Sequence, residues 1–297
     1  MKKPLFLVSN DDGAGVDGLE FLVSLLRPLG EVAVVVPDRE RSGMSTAFTT
    51  THPLVCQCIV REPGYTLHTC NGTPVDCVKY ALNLLLKDRR PDYVFSGINH
   101  GYNASVAIHY SGTLGAALEG CMAGIPSIGI SYDSHARHID FEPTRRWMEP
   151  LIAKLLSNGL PSGACLNVNI PKGEIRGIRV CRQGAGHWLE TLLPADGPGS
   201  DAIPETGAVQ TTQASSDQPA GNGAGAVQPS EPAAIAQSAQ TPKSAQGYWL
   251  SGIFVNGEPE ATDNDMSALD GGYISVVPQQ VDMTDYALLA QMKHWNL

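Results

Sequence analysis

Asn10, Asp11, Asp12 and Gly13 follow directly on the run Leu5-Phe6-Leu7-Val8-Ser9. An apolar stretch of strand length thus ends in an amide, two adjacent carboxylates and a glycine. In a parallel α/β sheet, ligands bind at the carboxyl ends of strands, where loops and helix N-termini converge. Neighbouring side chains on a straight strand point to opposite faces. Both carboxylates reach one centre only if the chain turns, and Gly13 permits the turn. A hard divalent cation, which takes oxygen ligands, relieves their repulsion most simply. The competing reading is a solvated Asx-type turn between strand and helix.

Three later stretches have the same character. Pro37-Asp38-Arg39-Glu40-Arg41-Ser42-Gly43-Met44-Ser45 offers arginines, a carboxylate and two hydroxyls after a second strand-like run. Gly97-Ile98-Asn99-His100-Gly101-Tyr102-Asn103 is a polar, glycine-rich loop after another. Asn99 can give a neutral oxygen to a metal, and Asn103 can brace the loop or meet substrate. His100 and His109 are read as ordinary hydrogen-bonding residues. Tyr110-Ser111-Gly112-Thr113 opens a helix, and small hydroxyl and glycine residues there make an anion site as well as a cap.

The elements that must position these residues follow from periodicity. A strand over Leu5–Ser9, a helix over Val16–Leu29 and a β-branched strand over Val32–Val36 make one right-handed βαβ unit. Ala47–Thr69 is expected to be an antiparallel excursion. Thr73, Pro74 and Asp76 have the order of N-cap, N1 and N3 of a helix. Asp92–Ser96 is expected to be the third parallel strand, with further core strands at Ser127–Ser131 and Cys165–Asn169 and a helix between them over Phe141–Leu156. Ile178–Arg182 is expected to leave the main sheet. The domain reading is a core over 1–194, a low-complexity, disordered insertion over 195–247, and strands and a helix over 248–297 that pack on the core or on a neighbouring subunit.

Composition narrows the function. The 297 residues carry a formal net charge of −10, so a general basic surface for duplex nucleic acid is not implied. Seven scattered cysteines form no C-x₂-C pair, which reads as reduced thiols in a cytoplasmic protein. The apolar run after Met1-Lys2-Lys3-Pro4 is too short for a signal peptide, and no stretch has the length of a membrane span.

Taken together, Val8 to Gly13, Pro37 to Gly43, Gly72-Thr73-Pro74-Val75-Asp76-Cys77, Ser96-Gly97-Ile98-Asn99 with Asn103, and Tyr110 to Thr113 resemble the SurE family of metal-dependent nucleoside 5′-monophosphate phosphatases. The likeness runs in order to about residue 185 and resumes at Thr262-Asp263 and Gly272-Tyr273-Ile274-Ser275-Val276. Asp17-Gly18 stands where the family often has Pro-Gly. The resemblance implies an α/β fold: a Rossmann-like, doubly wound, mostly parallel sheet with β-hairpin excursions and a C-terminal oligomerisation arm. It implies one divalent cation per subunit, Mg or Mn, held by Asp11, Asp12, Ser42 and Asn99. Asp11 and Asp12 would be catalytic, with substrate phosphate at Asn103, Ser111, Gly112 and Thr113. The implied substrates are nucleoside 5′-monophosphates, with 3′-monophosphates and short polyphosphate as further ones, turned over by a homodimer or homotetramer. The alternative is a non-catalytic nucleotide sensor on the same fold. A dinucleotide oxidoreductase fits poorly, because acids stand where pyrophosphate needs bare backbone.

Overall fold

The computed structural model describes residues 3–194 and 247–295. The insertion expected over 195–247 lies, except for Gly247, outside the described residues. The chain divides into two compact units, Met1–Gly186 with Asn256–Leu297, and His187–Val255.

In chain order the first unit contains β1 (Leu5–Ser9), α1 (Asp17–Leu26), β2 (Glu31–Pro37), β3 (Cys56–Glu62), β4 (Tyr65–Cys70) and α2 (Pro74–Tyr80), which continues as a π-helical turn over Ala81–Leu85. Then come β5 (Tyr93–His100), a 3₁₀ turn (Ser105–Tyr110), α3 (Gly112–Met122), β6 (Ser127–Tyr132), α4 (Arg145–Asn158), β7 (Cys165–Ile170) and β8 (Gly177–Val180). β9 (Gly186–Pro194) pairs with β10 (Tyr248–Asn256) in a separate two-stranded sheet, where Trp188 meets Phe254 edge-on at 5.2 Å. The first unit closes with α5 (Asp265–Asp270), β11 (Tyr273–Gln279) and α6 (Tyr286–Met292).

The main sheet has the order β3-β4-β2-β1-β5-β6-β7-β11-β8. β1 pairs in parallel with both β2 and β5. From β1 the chain therefore winds outward in two directions, and the switch point lies between β1 and β5. Buried residues alternate between the faces. Phe6, Val8, Val34 and Phe95 join the core that includes Leu22, Leu26 and Met148, whereas Leu7, Val35 and Val94 join the one that includes Val78 and Ala116. Helices on both faces explain why these strands read as nearly continuous apolar runs.

Two expectations need correction. β3 and β4 do form an antiparallel hairpin, but β4 also pairs in parallel with β2, from Val32↔Tyr65 to Pro37↔Cys70. The excursion thus joins the main sheet and covers the open edge of β2, whose N–H and C=O groups need partners. β5 is consequently the fourth parallel strand rather than the third. β8 does not leave the sheet either. β11 lies antiparallel to β7, and its other edge takes β8 in parallel.

α2 begins as expected. Thr73 caps it, and the backbone N–H of Asp76 and the Asp76 side chain complete a capping box. Asp76 is nearly fully buried and does more than face the helix dipole. It accepts bonds from Thr49 N and Thr49 Oγ1 at 2.9 and 2.6 Å and from Thr73 N at 2.9 Å. Burial alone would raise its carboxyl, but the bonds from Thr49 and Thr73 outweigh it and hold the group below the usual carboxylate range. A depressed acid contributes stability above its unfolded value, about pH 4, and loses it as pH falls through the folded one. Asp76→Ala is expected to cost about 3 kcal/mol at pH 7. The difference from wild type should shrink below about pH 4, as read by urea denaturation at both pH values.

Candidate active site

The site forms where the carboxyl ends of β1, β2 and β5 meet the N-terminus of α3. Asn10, fully buried, closes the β1 turn, with Gly13 N donating to its Oδ1 at 3.1 Å and its Nδ2 donating to Gly13 O at 2.8 Å. Gly13 has φ +90°, and a Cβ there would sit 3.2 Å from Pro37 O. The first loop is thus packed tightly on the second. The turn sends Asp11 and Asp12 to different partners in one small region.

Asp11 is 3% exposed. Its carbonyl accepts Arg41 N at 2.7 Å, which ties the β2 loop to it. Its Oδ1 accepts the Thr113 hydroxyl at 2.5 Å, and the Thr113 backbone N–H faces the carboxylate and favours its charged form. α3 approaches so closely that a Cβ at Gly112 would fall 2.9 Å from both Cβ and Oδ2 of Asp11, so only glycine fits. Burial pushes the Asp11 carboxyl up to about 6, with Glu40 adding to the rise and the Thr113 bonds opposing it.

The backbone N–H of His100, the residue after Asn99, faces the Asp12 carboxylate and favours its charged form. Asp12 Oδ2 is buried and has no hydrogen-bond donor among the described residues. Burial, then repulsion by Asp11 and Glu40, pushes its carboxyl up to about 7. Glu40 was read from the sequence only as one charge of a loop. Its position two residues before Ser42 is the signal that places it here.

Ser42 and Asn99 each follow or precede a residue in direct contact with the pair. Ser42 Oγ donates to Glu40 Oε1 at 2.8 Å. Asn99 Nδ2 donates to Gly101 O at 2.7 Å, leaving Oδ1 unbonded among the described residues. In the β5–β6 pairing, Ser96 faces Gly129 and Asn99 faces Ser131, so β5 carries one extra residue there. Such a bulge re-aims the strand end beside a site.

Of the expected substrate contacts, Ser111 caps α3 by accepting Leu114 N at 3.0 Å, and Thr113 gives its hydroxyl to Asp11. Asn103 is nearly buried, and its Nδ2 donates to Ser131 Oγ. His100 bonds Ala136 O through Nδ1 and lies against Phe141, and its Nε2 is buried without a partner among the described residues.

Among the described residues, no group of three or more His, Cys, Asp or Glu side chains is arranged to hold a metal ion. A cation here would need the two carboxylates together with neutral oxygens. The residues fit that demand: both aspartates offer carboxylate oxygens, Asp12 Oδ2 has no donor among the described residues, and desolvation disfavours the ionised form of each. Among the described residues, no helix is long and apolar enough to cross a membrane.

Known proteins resemble this one along the whole chain. A family model described as Survival protein SurE matches residues 6–190. The 5′-nucleotidase SurE of Bacteroides fragilis is 40% identical, covering 100% of this chain and 99% of that protein. The protein of the same name from Phocaeicola vulgatus is 39% identical, over 100% of this chain and 98% of its own. The crystal structure of the SurE protein from Aquifex aeolicus superposes with a TM-score of 0.71 at 31% identity, covering 98% of this chain and 99% of that one. The chain belongs to the SurE family.

Proposed function

We propose that this protein is a metal-dependent 5′-nucleotidase, hydrolysing nucleoside 5′-monophosphates to nucleoside and phosphate. The observation that carries the reading is the buried Asp11 beside the partly buried Asp12, whose inner Oδ2 has no donor among the described residues, set against the N-terminus of α3. The full-length relatives bearing the name 5′-nucleotidase support it.

Asp11, Asp12, Ser42 and Asn99 would hold one divalent cation, Mg or Mn. Bound there, it supplies positive charge to a phosphate oxygen and raises the acidity of water. Substrate phosphate lies at the start of α3, where the Ser111 hydroxyl and the Gly112 N–H face the anion with the positive end of the helix dipole behind them. These donors stabilise the equatorial oxygens as charge redistributes. Thr113 contributes through Asp11, whose oxygen it fixes. Asp12 keeps an unbonded oxygen and is therefore the member of the pair that orients the attacking water. Asn103 contacts substrate from the β5 loop.

Assembly as a homo-oligomer accords with the exposed Leu189, Leu192, Trp249, Leu250 and Ile253 of the two-stranded β9–β10 sheet and with α6, which buries none of its residues. A cytoplasmic location accords with the seven free cysteines.

Phosphate release from a panel of nucleoside monophosphates and tripolyphosphate tests the function directly, with Mg, Mn and EDTA compared. Release from 5′-monophosphates that EDTA abolishes is expected. Nucleotide binding without release under every condition would reduce the protein to a sensor.

Asp12→Asn is expected to lower kcat by about 10³-fold or more. It also separates metal from folding. An acid whose folded pKa is raised weakens the native state increasingly as pH rises from about 4 to about 7, and fully above that. The amide introduced by Asp12→Asn carries no charge, so in EDTA at pH 8 the variant should be more stable than wild type by about 2 kcal/mol. With Mn present the order should reverse, as read by thermal melts with and without metal.

A further inference from the structure

β7 carries asparagine at two of its six positions, Asn167 and Asn169, and both are fully buried. Two residues apart on a strand, they share a face. β7 is paired on both sides, with β6 and β11. Such a strand is ordinarily filled with aliphatic side chains, because a buried amide is costly unless its polar atoms are bonded. Here the bonds exist, and they converge on a single residue outside the strand.

Asn103 N donates to Asn169 Oδ1 at 2.7 Å, and Asn103 O accepts from Asn167 Nδ2 at 2.8 Å. Asn169 Nδ2 donates to Asn167 Oδ1 at 3.0 Å and closes the ring. The two side chains thus offer Asn103 one acceptor and one donor, as the backbone of a neighbouring strand would. A further bond fixes its side chain, with Nδ2 donating to Ser131 Oγ of β6 at 2.7 Å. Two residues on, Ser105 is pinned as well: its N–H donates to Asp265 Oδ2 at 2.8 Å and its hydroxyl to Gly184 O at 2.9 Å. The loop after Asn99 is therefore tied at backbone and side chain by groups buried in the core.

We infer that Asn169, with Asn167 and Ser131, is a positioning network that holds Asn103 for the phosphatase reaction. None of the three contacts substrate; they act through Asn103, and the assignment rests on the function proposed above. A fully buried amide ring is an expensive way to stabilise a strand, but it fixes one loop residue in both position and rotamer. Misplacement of a contact group by about 1 Å lowers turnover by about 100-fold.

The test is a double-mutant cycle on the full-length protein, with AMP as substrate and Mn as the metal. Asn169→Ala, Asn103→Ala and their combination are compared in kcat, KM, AMP affinity and Mn affinity by calorimetry. Asn169→Ala is expected to lower kcat/KM by about 10- to 100-fold, chiefly in kcat, with Mn affinity within about threefold of wild type. The combined variant should be no worse than Asn103→Ala alone, the signature of residues acting as a unit. Val168→Ala, on the other face of the same strand, controls for loss of stability and should keep kcat/KM within about twofold.

Ser131→Ala removes a single oxygen and serves if Asn169→Ala fails to fold. It should lose about 3- to 10-fold in kcat/KM and likewise fail to add to Asn103→Ala. Losses that multiply in the combined variant would overturn the inference. So would wild-type kcat/KM in folded Asn169→Ala or Ser131→Ala, or an equal loss in Val168→Ala. A wild-type protein that releases no phosphate would sink the phosphatase reading instead. The same cycle read in AMP affinity would then decide the network on its own.

Discussion

A buried carboxylate with a partly buried one beside it constrains the whole site. Buried charge persists only when paired or neutralised, and an unpaired ion in the interior weakens a fold by several kcal/mol. Among the described residues, none pairs a guanidinium with Asp11 or Asp12. Arg41 turns its Nη2 to Asn71 O at 2.7 Å, and Arg39 lies 3.4 Å from Asp38. What faces the aspartates is a hydroxyl, backbone N–H groups and a helix start, together with a third carboxylate, Glu40. These partial charges orient the carboxylates without neutralising them. A site so built remains short of positive charge, which is the condition for taking up a cation and then a phosphate.

The fold makes that arrangement possible by bringing together chain segments that are distant in sequence. Thr113 is 102 residues from Asp11, yet the switch point between β1 and β5 places the start of α3 directly on β1's end. Glycine at 112 removes the last obstacle, since any side chain would occupy the space of Asp11. Asp76 performs a related task one layer away. By capping α2 and holding Thr49, it fixes the long connection that leaves the β2 loop and returns as β3. In each case an aspartate is bonded at a helix N-terminus, Asp11 by the Thr113 hydroxyl and Asp76 by the Thr73 N–H.

The sequence disclosed most where the signal is local. The Leu5–Ser9 strand, the Thr73–Asp76 cap and the start of α3 are set by neighbouring residues, and the structure has all three. It disclosed least where a partner is remote. A strand of given pattern pairs in parallel or antiparallel fashion alike, so nothing in Tyr65–Cys70 distinguished an excursion from a strand beside β2. β8 was misplaced for the same reason, since its partner β11 arrives only after residue 272. Thr113 at a helix start reads equally well as a cap, a phosphate donor or a brace for an aspartate, and only its spatial neighbour selects among these.

A subtler reason concerns the direction in which the sheet is amphipathic. Periodicity compares the two faces of a strand, and here both faces are covered, so the runs look uniformly apolar. The polarity instead changes along the strands. β1 ends in Ser9 and Asn10, β5 passes from Phe95 to Ser96, β6 reaches Ser131, and β7 carries Asn167 and Asn169, all of them fully buried. Ser9 and Ser96 are register partners, and neither hydroxyl has a donor or acceptor among the described residues. Ser127, at the other end of β6, is the exception, and it is satisfied locally by Ile125 O. Polar residues thus crowd the end of the sheet from which the site loops spring, while the opposite end is packed with hydrocarbon. A pattern running along strands is invisible to an analysis of alternation. It becomes evident once the strands are laid side by side, and it points to the same end of the sheet as the aspartates do, independently of them.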